Sequence, residues 1–258
     1  MSINQEILQV ALVQTDLVWE NKAANLANLS QKLEKAHKGI DLFILPEMFS
    51  TGFSMQPKKF AESMNGDSIK WLLDISKKLD AAVAASLIIE EGGKFYNRFL
   101  FAQPDGSLSH YDKRHLFSMA GEEQHYTAGE KRELIIYKGW RIAPFVCYDL
   151  RFPTWCRNTA DYNYDIAIFV ANWPHRRAAH WRALLPARSI ENQCFTLAVN
   201  RVGYDGNNIY HSGYTMALDA EGQSLAEVVG EEKISYCNLS LSYLKDARQR
   251  LPFLQDRD

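Results

Sequence analysis

A chain of 258 residues, 47% hydrophobic and 23% charged, is long enough to bury a sizeable core and has the balance of an ordinary globular protein. Its formal net charge of -2 gives no basis for expecting nucleic acid or an anionic membrane as a partner, and apolar runs such as Ala81 to Ile89 are too short to span a bilayer. Four cysteines without CxxC spacing read as reduced thiols of a cytoplasmic protein, not as a disulfide framework or a zinc site, and Gln5 and Glu6 precede the first apolar run where a signal peptide would be basic and then apolar.

The elements follow from periodicity. Ile7 to Val13 reads as a buried first strand. Leu26, Leu29, Leu33 and Ala36 recur at helical spacing, and Gly39 is the expected C-cap. Leu42 to Leu45 suits a central strand, ended by Pro46 and Glu47. A helix over Ser68 to Leu79 and a strand over Ala82 to Ile89 come next. Phe95 to Ala102 and Leu108 to Tyr111, joined through Pro104-Asp105-Gly106, read as a hairpin. Leu134 to Tyr137 and Arg141 to Val146 read as another, across Lys138-Gly139.

After Pro153 a short helix is expected, followed by a strand over Ile166 to Val170. Ala178 to Gln193 is helical by composition, with a kink or break at Pro186. Strands over Phe195 to Val199, Gly213 to Leu218, Leu225 to Val229 and Ile234 to Leu239 complete the chain, with a turn at Asp219 to Gly222. There is no low-complexity linker and no internal repeat. The expected architecture is a single α/β domain over residues 1–258, with two sheets packed face to face and helices outside.

Three strand ends carry reactive groups: Glu47, Lys113 and Cys147. Each alone has an ordinary reading, as a solvated charge or a small buried thiol. Together they make a chemistry. A free thiol with a pKa of about 8.5 needs help to react at neutral pH. Glu47 would take that proton and return it to a leaving amine, and Lys113 would stabilise the oxyanion together with a backbone N–H of the turn after Cys147. That set suits hydrolysis of an amide or nitrile. His115, His125, His175, His180 and His211 leave a cysteine–histidine hydrolase open, whereas no histidine pair has ligand spacing with an acidic partner, so no metal and no other cofactor is expected.

Leu45 to Phe49, Tyr111 to Phe117 and Val146 to Pro153 resemble the three signature segments of the nitrilase, or carbon–nitrogen hydrolase, superfamily. The resemblance continues through Ala171 to Pro174, Ala187 to Gln193 and Asn200 to Gly203, in the family's order and spacing. It implies a four-layer α-β-β-α sandwich with Glu47 as base, Lys113 as oxyanion stabiliser and Cys147 as nucleophile. It also implies a second glutamate seven residues before a glycine; Glu122 stands so before Gly129, with the expected role of holding Lys113 and the substrate nitrogen. A homodimer or higher homo-oligomer is the implied assembly.

Arg151-Phe152-Pro153-Thr154-Trp155 and Asn172-Trp173-Pro174, with Arg176 and Arg177, are most similar to the ω-amidase branch. Those enzymes release ammonia from the side-chain amide of 2-oxoglutaramate or 2-oxosuccinamate. Such a small-molecule substrate needs a cation for its carboxylate. Arg176, Arg177 and Arg151 are the candidates, with Trp173 and Phe117 as apolar walls and Tyr148 in the substrate-binding set. Arg151 and Arg177 have an alternative role, holding the fold by pairing with carboxylates. Pro186, in a helix usually continuous in the family, and Thr154, where many relatives carry glutamate, depart from the pattern. The alternatives are an N-carbamoyl amine or β-ureidopropionase-type amidase and, from a different class, a catalytically silent binding protein on the same scaffold. A nitrilase fits less well, because Tyr148-Asp149 stands where those chains have tryptophan-glutamate. A metal-dependent phosphoesterase would need clustered Asp, His and Asn.

Overall fold

The computed structural model describes residues 5–257. Its strands are β1 (Ile7–Gln14), β2 (Leu42–Ile44), β3 (Ala82–Glu91), β4 (Lys94–Ala102), β5 (Leu108–Asp112), β6 (Ile135–Tyr137), β7 (Trp140–Val146), β8 (Ile166–Ala171), β9 (Phe195–Asn200), β10 (Val202–Tyr204), β11 (Tyr210–Leu218), β12 (Ser224–Val229) and β13 (Lys233–Ser240). The α-helices are α1 (Lys22–Glu34), α2 (Pro57–Phe60), α3 (Asp67–Leu79), α4 (Pro153–Cys156), α5 (Ala178–Asn192) and α6 (Leu241–Arg250).

The strands form two sheets. One runs β13-β1-β2-β3-β4-β5, and the other runs β10-β11-β9-β8-β7-β6, with β12 paired to β11. Alternation within the strands makes the layers. Leu8, Val10 and Leu12 of β1 face the second sheet and meet a core that includes Ile142, Val146, Ile168 and Val170. Ala11 and Val13, pointing the other way, pack with Leu29 and Leu33 of α1 and Leu72 and Ile75 of α3. On the far side Phe145 and Phe169 pack with Trp181 and Leu185 of α5. The result is helix, sheet, sheet, helix: the expected four-layer α-β-β-α sandwich.

Both hairpins lie where the turn residues place them. Lys138 and Gly139 take φ of 49° and 83°, as a two-residue turn joining β6 to β7 requires. A third hairpin, β3 to β4, turns at Gly92-Gly93, with φ of 60° and 75°. Two helix expectations need correction. Helix α1 ends at Glu34 with Lys35 as C-cap in a right-handed conformation, so Gly39 is not its cap but a separate turn residue at φ 80°. Helix α5 runs through Pro186 without a break. It is clamped on both sides of the proline: Trp181 Nε1 donates to the Tyr214 carbonyl at 2.7 Å, and the Arg188 guanidinium donates to the Leu150 carbonyl at 2.7 and 3.1 Å. Those contacts offset the one backbone hydrogen bond that proline removes. No described helix is long and apolar enough to cross a membrane.

Candidate active site

Glu47 follows β2 and Lys113 follows β5, in one sheet; Cys147 follows β7, in the other. All three emerge at one end of the sandwich and meet with Glu122. Lys113 Nζ lies 3.0 Å from Glu47 Oε1 and 2.9 Å from Glu122 Oε2. Glu47, Lys113 and Glu122 are all buried, so the alternative of a surface charge pair for Glu122 does not hold.

Strands β3 and β4 separate β2 from β5, and polar side chains on them bridge the gap. Asn97 of β4 accepts from Ser86 Oγ of β3 at 2.9 Å and donates to Glu47 Oε1 at 2.7 Å and to Glu122 Oε1 at 3.2 Å. Its carbonyl also accepts from Lys113 N at 3.0 Å. From the second sheet, Asn172 donates its backbone N–H to Glu47 Oε2 at 2.8 Å and its side chain to the Glu47 carbonyl at 2.6 Å. Glu47 thus has both oxygens engaged from both sheets, which fixes its carboxylate before any substrate arrives. Asn97 was not singled out from the sequence, and Asn172 was named only as part of the segment Asn172-Trp173-Pro174, without this role.

Cys147 opens a tight turn with φ of 47°, a left-handed conformation uncommon for a residue with a Cβ. A buried carboxylate holds the turn there. Asp149 accepts from Val146 N at 3.0 Å, His115 N at 2.9 Å and Tyr111 Oη at 2.8 Å, so it ties the cysteine turn to the segment around Lys113.

The charges follow from burial. Burial works against the ammonium of Lys113, but the carboxylates of Glu122 and Glu47 outweigh it and hold the group firmly protonated. Burial raises the pKa of Glu122, opposed by Lys113 and reinforced by Glu47. Cys147 opens onto a cavity but has protein on its other sides. Burial first, then the charge of Glu47, pushes its thiol well above the ordinary range, and Lys113 only partly opposes them. The resting cysteine is therefore a thiol whose proton must leave as it attacks, and the neighbouring base matters accordingly.

The cavity over Cys147 has a volume of about 450 Å³. It brings together every substrate-binding residue expected from the sequence: Phe117, Tyr148, Trp173, Arg176, Arg177 and Arg151. The Arg177 guanidinium sits 4.9 Å from the Phe117 ring, and that of Arg151 sits 4.7 Å from the Trp173 ring and 3.1 Å from His180 Nδ1. Among the described residues, none of the three arginines pairs with a carboxylate, so the alternative role for Arg151 and Arg177 falls away. Burial, then Arg176 among its neighbours, makes the charge of Arg177 harder to hold.

The histidines lie elsewhere in the network. His115 contacts Asp149, His175 contacts Ser212, His180 contacts Arg151, and His125 is exposed. His211 lines the cavity beside the Ile209 carbonyl at 3.0 Å, and burial, with Arg201 close by, pushes its pKa down to about 4. Among the described residues none is hydrogen-bonded to Cys147, and no group of three or more His, Cys, Asp and Glu side chains is arranged to hold a metal ion.

His211 gives a stability prediction. The folded protein refuses a proton that the unfolded chain accepts, so stability present above pH 6.5 is lost as pH falls towards 4. The full effect is about 3 kcal/mol. Thermal midpoints at pH 7 and pH 4.5 check it: the fall is expected to be several degrees smaller in His211→Gln than in the unsubstituted protein, and equal falls would contradict it.

The Carbon-nitrogen hydrolase family matches residues 9–249. The chain is 44% identical over 252 residues to the omega-amidase YafV of Yersinia enterocolitica, with 97% of each covered. It is 30% identical over 250 residues to the 2-oxoglutaramate amidase of Bacillus subtilis, with 96% of each covered. Its structure superimposes with a TM-score of 0.96 on a CN-hydrolase superfamily protein of Xanthomonas campestris crystallised with an arsenic adduct in its active site, at 41% identity and 98% coverage of each chain.

Proposed function

This chain belongs to the carbon–nitrogen hydrolase family and is an amide-hydrolysing enzyme, and we propose that it releases ammonia from the ω-carboxamide of a small 2-oxo acid through a thioester on Cys147. The proposed substrates are 2-oxoglutaramate and 2-oxosuccinamate. The observation that carries this reading is the unpaired arginine wall in the same cavity as Cys147. A substrate with a carboxylate at one end and a carboxamide at the other offers an anion to the arginines and an acyl carbon to the thiol of the same cavity. Glutamine presents an α-ammonium to the same arginines and is disfavoured by like-charge repulsion. The activity named for the Bacillus subtilis relative supports the choice.

In the proposed mechanism Sγ attacks the carboxamide carbon as Glu47 takes the thiol proton. The charge that develops on the carbonyl oxygen faces Lys113 Nζ and the backbone N–H of Tyr148. Glu47 returns the proton to the nitrogen, the C–N bond breaks and ammonia leaves. A water then gives a proton to Glu47 and attacks the thioester; the C–S bond breaks, the 2-oxo acid departs and the thiol is restored. Glu122 holds Lys113 in line, and it also accepts from Phe117 N at 2.6 Å, which steadies one wall of the cavity.

Arg177→Met tests the carboxylate contact. KM for 2-oxoglutaramate is expected to rise at least about tenfold, the worth of one charge-assisted hydrogen bond, with kcat within a few-fold. Hydrolysis of a neutral amide such as butyramide should be unchanged. Equal losses on both substrates would contradict the assignment. A second reading, hydrolysis of an N-carbamoyl amine, uses the same four residues and also supplies a carboxylate. The proposed assembly is a homodimer or higher homo-oligomer.

A further inference from the structure

Trp19 stands apart from the other tryptophans near the cavity. Trp173, which also lines the cavity, and Trp181 of α5 are buried, whereas Trp19 is half-buried at the cavity. Its placement is nonetheless tightly specified. The segment that carries it, Thr15 to Glu20, is fastened at successive points. Val202 N donates to the Thr15 carbonyl at 3.1 Å, and Arg201 pairs with Asp16 and donates to the Leu17 carbonyl at 3.3 Å. Asn25 accepts from Val18 N at 2.8 Å and donates to its carbonyl at 2.7 Å. Glu20 N donates to the Thr51 carbonyl at 2.8 Å, with Glu20 itself held at φ 52°.

Two glycines then close on the indole. A Cβ on Gly52 would lie 3.1 Å from Trp19 Cε3, and one on Gly206 would lie 2.2 Å from Cδ1 and 2.3 Å from Nε1. Gly52 has φ of 75° and needs glycine for its backbone; Gly206 does not have a left-handed φ, so its side-chain-free surface is what the indole uses. A large aromatic held this firmly and left facing a cavity is preorganised for something that enters the cavity, since the fold gains nothing by exposing it.

We propose that Trp19 is a specificity-determining residue, the wall that limits the size of the acyl group able to reach Cys147. This rests on the reading of the cavity as an acyl-group site. Short chains of four or five carbons fit against the indole, and longer or aryl-bearing chains meet it.

The test compares the unsubstituted enzyme, Trp19→Ala and Gly206→Ala. Gly206 does not line the cavity, so its substitution moves the indole from behind and serves if Trp19→Ala fails to fold. Two ratios are read. The first is kcat/KM for a seven-carbon ω-monoamide over that for 2-oxoglutaramate. The second is the rate of Cys147 alkylation by N-phenyl iodoacetamide over that by iodoacetamide, which needs no turnover. In Trp19→Ala both ratios are expected to rise about tenfold, the worth of one or two methylenes gaining an apolar seat. Gly206→Ala is expected to change them threefold or more. Ratios within twofold of the unsubstituted enzyme in folded variants would overturn the proposal. If the alkylation ratio shifts while the unsubstituted enzyme hydrolyses no 2-oxo acid amide, the wall stands and the substrate reading falls.

Discussion

Cys147→Ala is expected to lower ammonia release from 2-oxoglutaramate by about 10⁴-fold or more, with a thermal midpoint within about two degrees of the unsubstituted protein. The size follows from the proposed role: without Sγ there is no thioester, and only positioning and oxyanion stabilisation remain. The small structural effect follows from the site. Alanine keeps the Cβ that the left-handed turn already tolerates at φ 47°. The turn itself is held by Asp149, through Val146 N, His115 N and Tyr111 Oη, and none of those bonds involves the thiol. Mass spectrometry of the unsubstituted enzyme, quenched during turnover, is expected to show an acyl adduct that the variant lacks. Ammonia release in the variant within tenfold of normal would remove Cys147 from the mechanism.

Glu47→Gln separates two effects that a simple loss of activity would merge. Turnover is expected to fall by about 10³-fold, because the group that accepts the thiol proton and returns it to nitrogen is gone. The amide also fits the surroundings poorly. Lys113 Nζ and Asn97 Nδ2 donate to one Glu47 oxygen and Asn172 N to the other, so an NH₂ at either position faces a donor. The thiol, however, should become easier to ionise. Glu47's negative charge is one of the causes holding its pKa up, so removing that charge moves the thiol down. The pH midpoint for alkylation of Cys147 by iodoacetamide is therefore expected to be lower in Glu47→Gln than in the unsubstituted enzyme, while hydrolysis is far slower. A raised midpoint would contradict the electrostatic account, and near-normal turnover would contradict the base.

Glu47 and Cys147 were legible because each stands just past a short apolar strand, and Lys113 because it follows the second strand of a hairpin. Their meeting was legible only through the family resemblance, since it depends on two sheets ending on the same side. The bridging residues were harder still. Asn97 lies inside the run Phe95 to Ala102 and reads as one more strand position, yet it joins Glu47, Glu122 and the backbone of Lys113. Asp149 drew notice only as a departure from the nitrilase pattern and is the buried anchor of the nucleophile's turn. Trp19 left no signal, because its function comes from Gly52 and Gly206, which lie far from it in sequence. Among the elements, α6 went unread because its buried side is only Leu241, Leu244 and Ala247 in a polar stretch. Of the kink or break expected at Pro186, the break did not occur, because tertiary hydrogen bonds on either side outweigh a local preference.

The most direct test of the proposed function is a comparison of kcat/KM for 2-oxoglutaramate, glutamine and N-carbamoyl-β-alanine under one set of conditions. Like-charge repulsion between the arginine wall and the α-ammonium of glutamine predicts that 2-oxoglutaramate is preferred over glutamine by about a hundredfold, the worth of roughly 3 kcal/mol of differential binding, and the proposed ω-amide specificity predicts that it is also preferred over N-carbamoyl-β-alanine. A preference for N-carbamoyl-β-alanine, or equal turnover of glutamine, would contradict it.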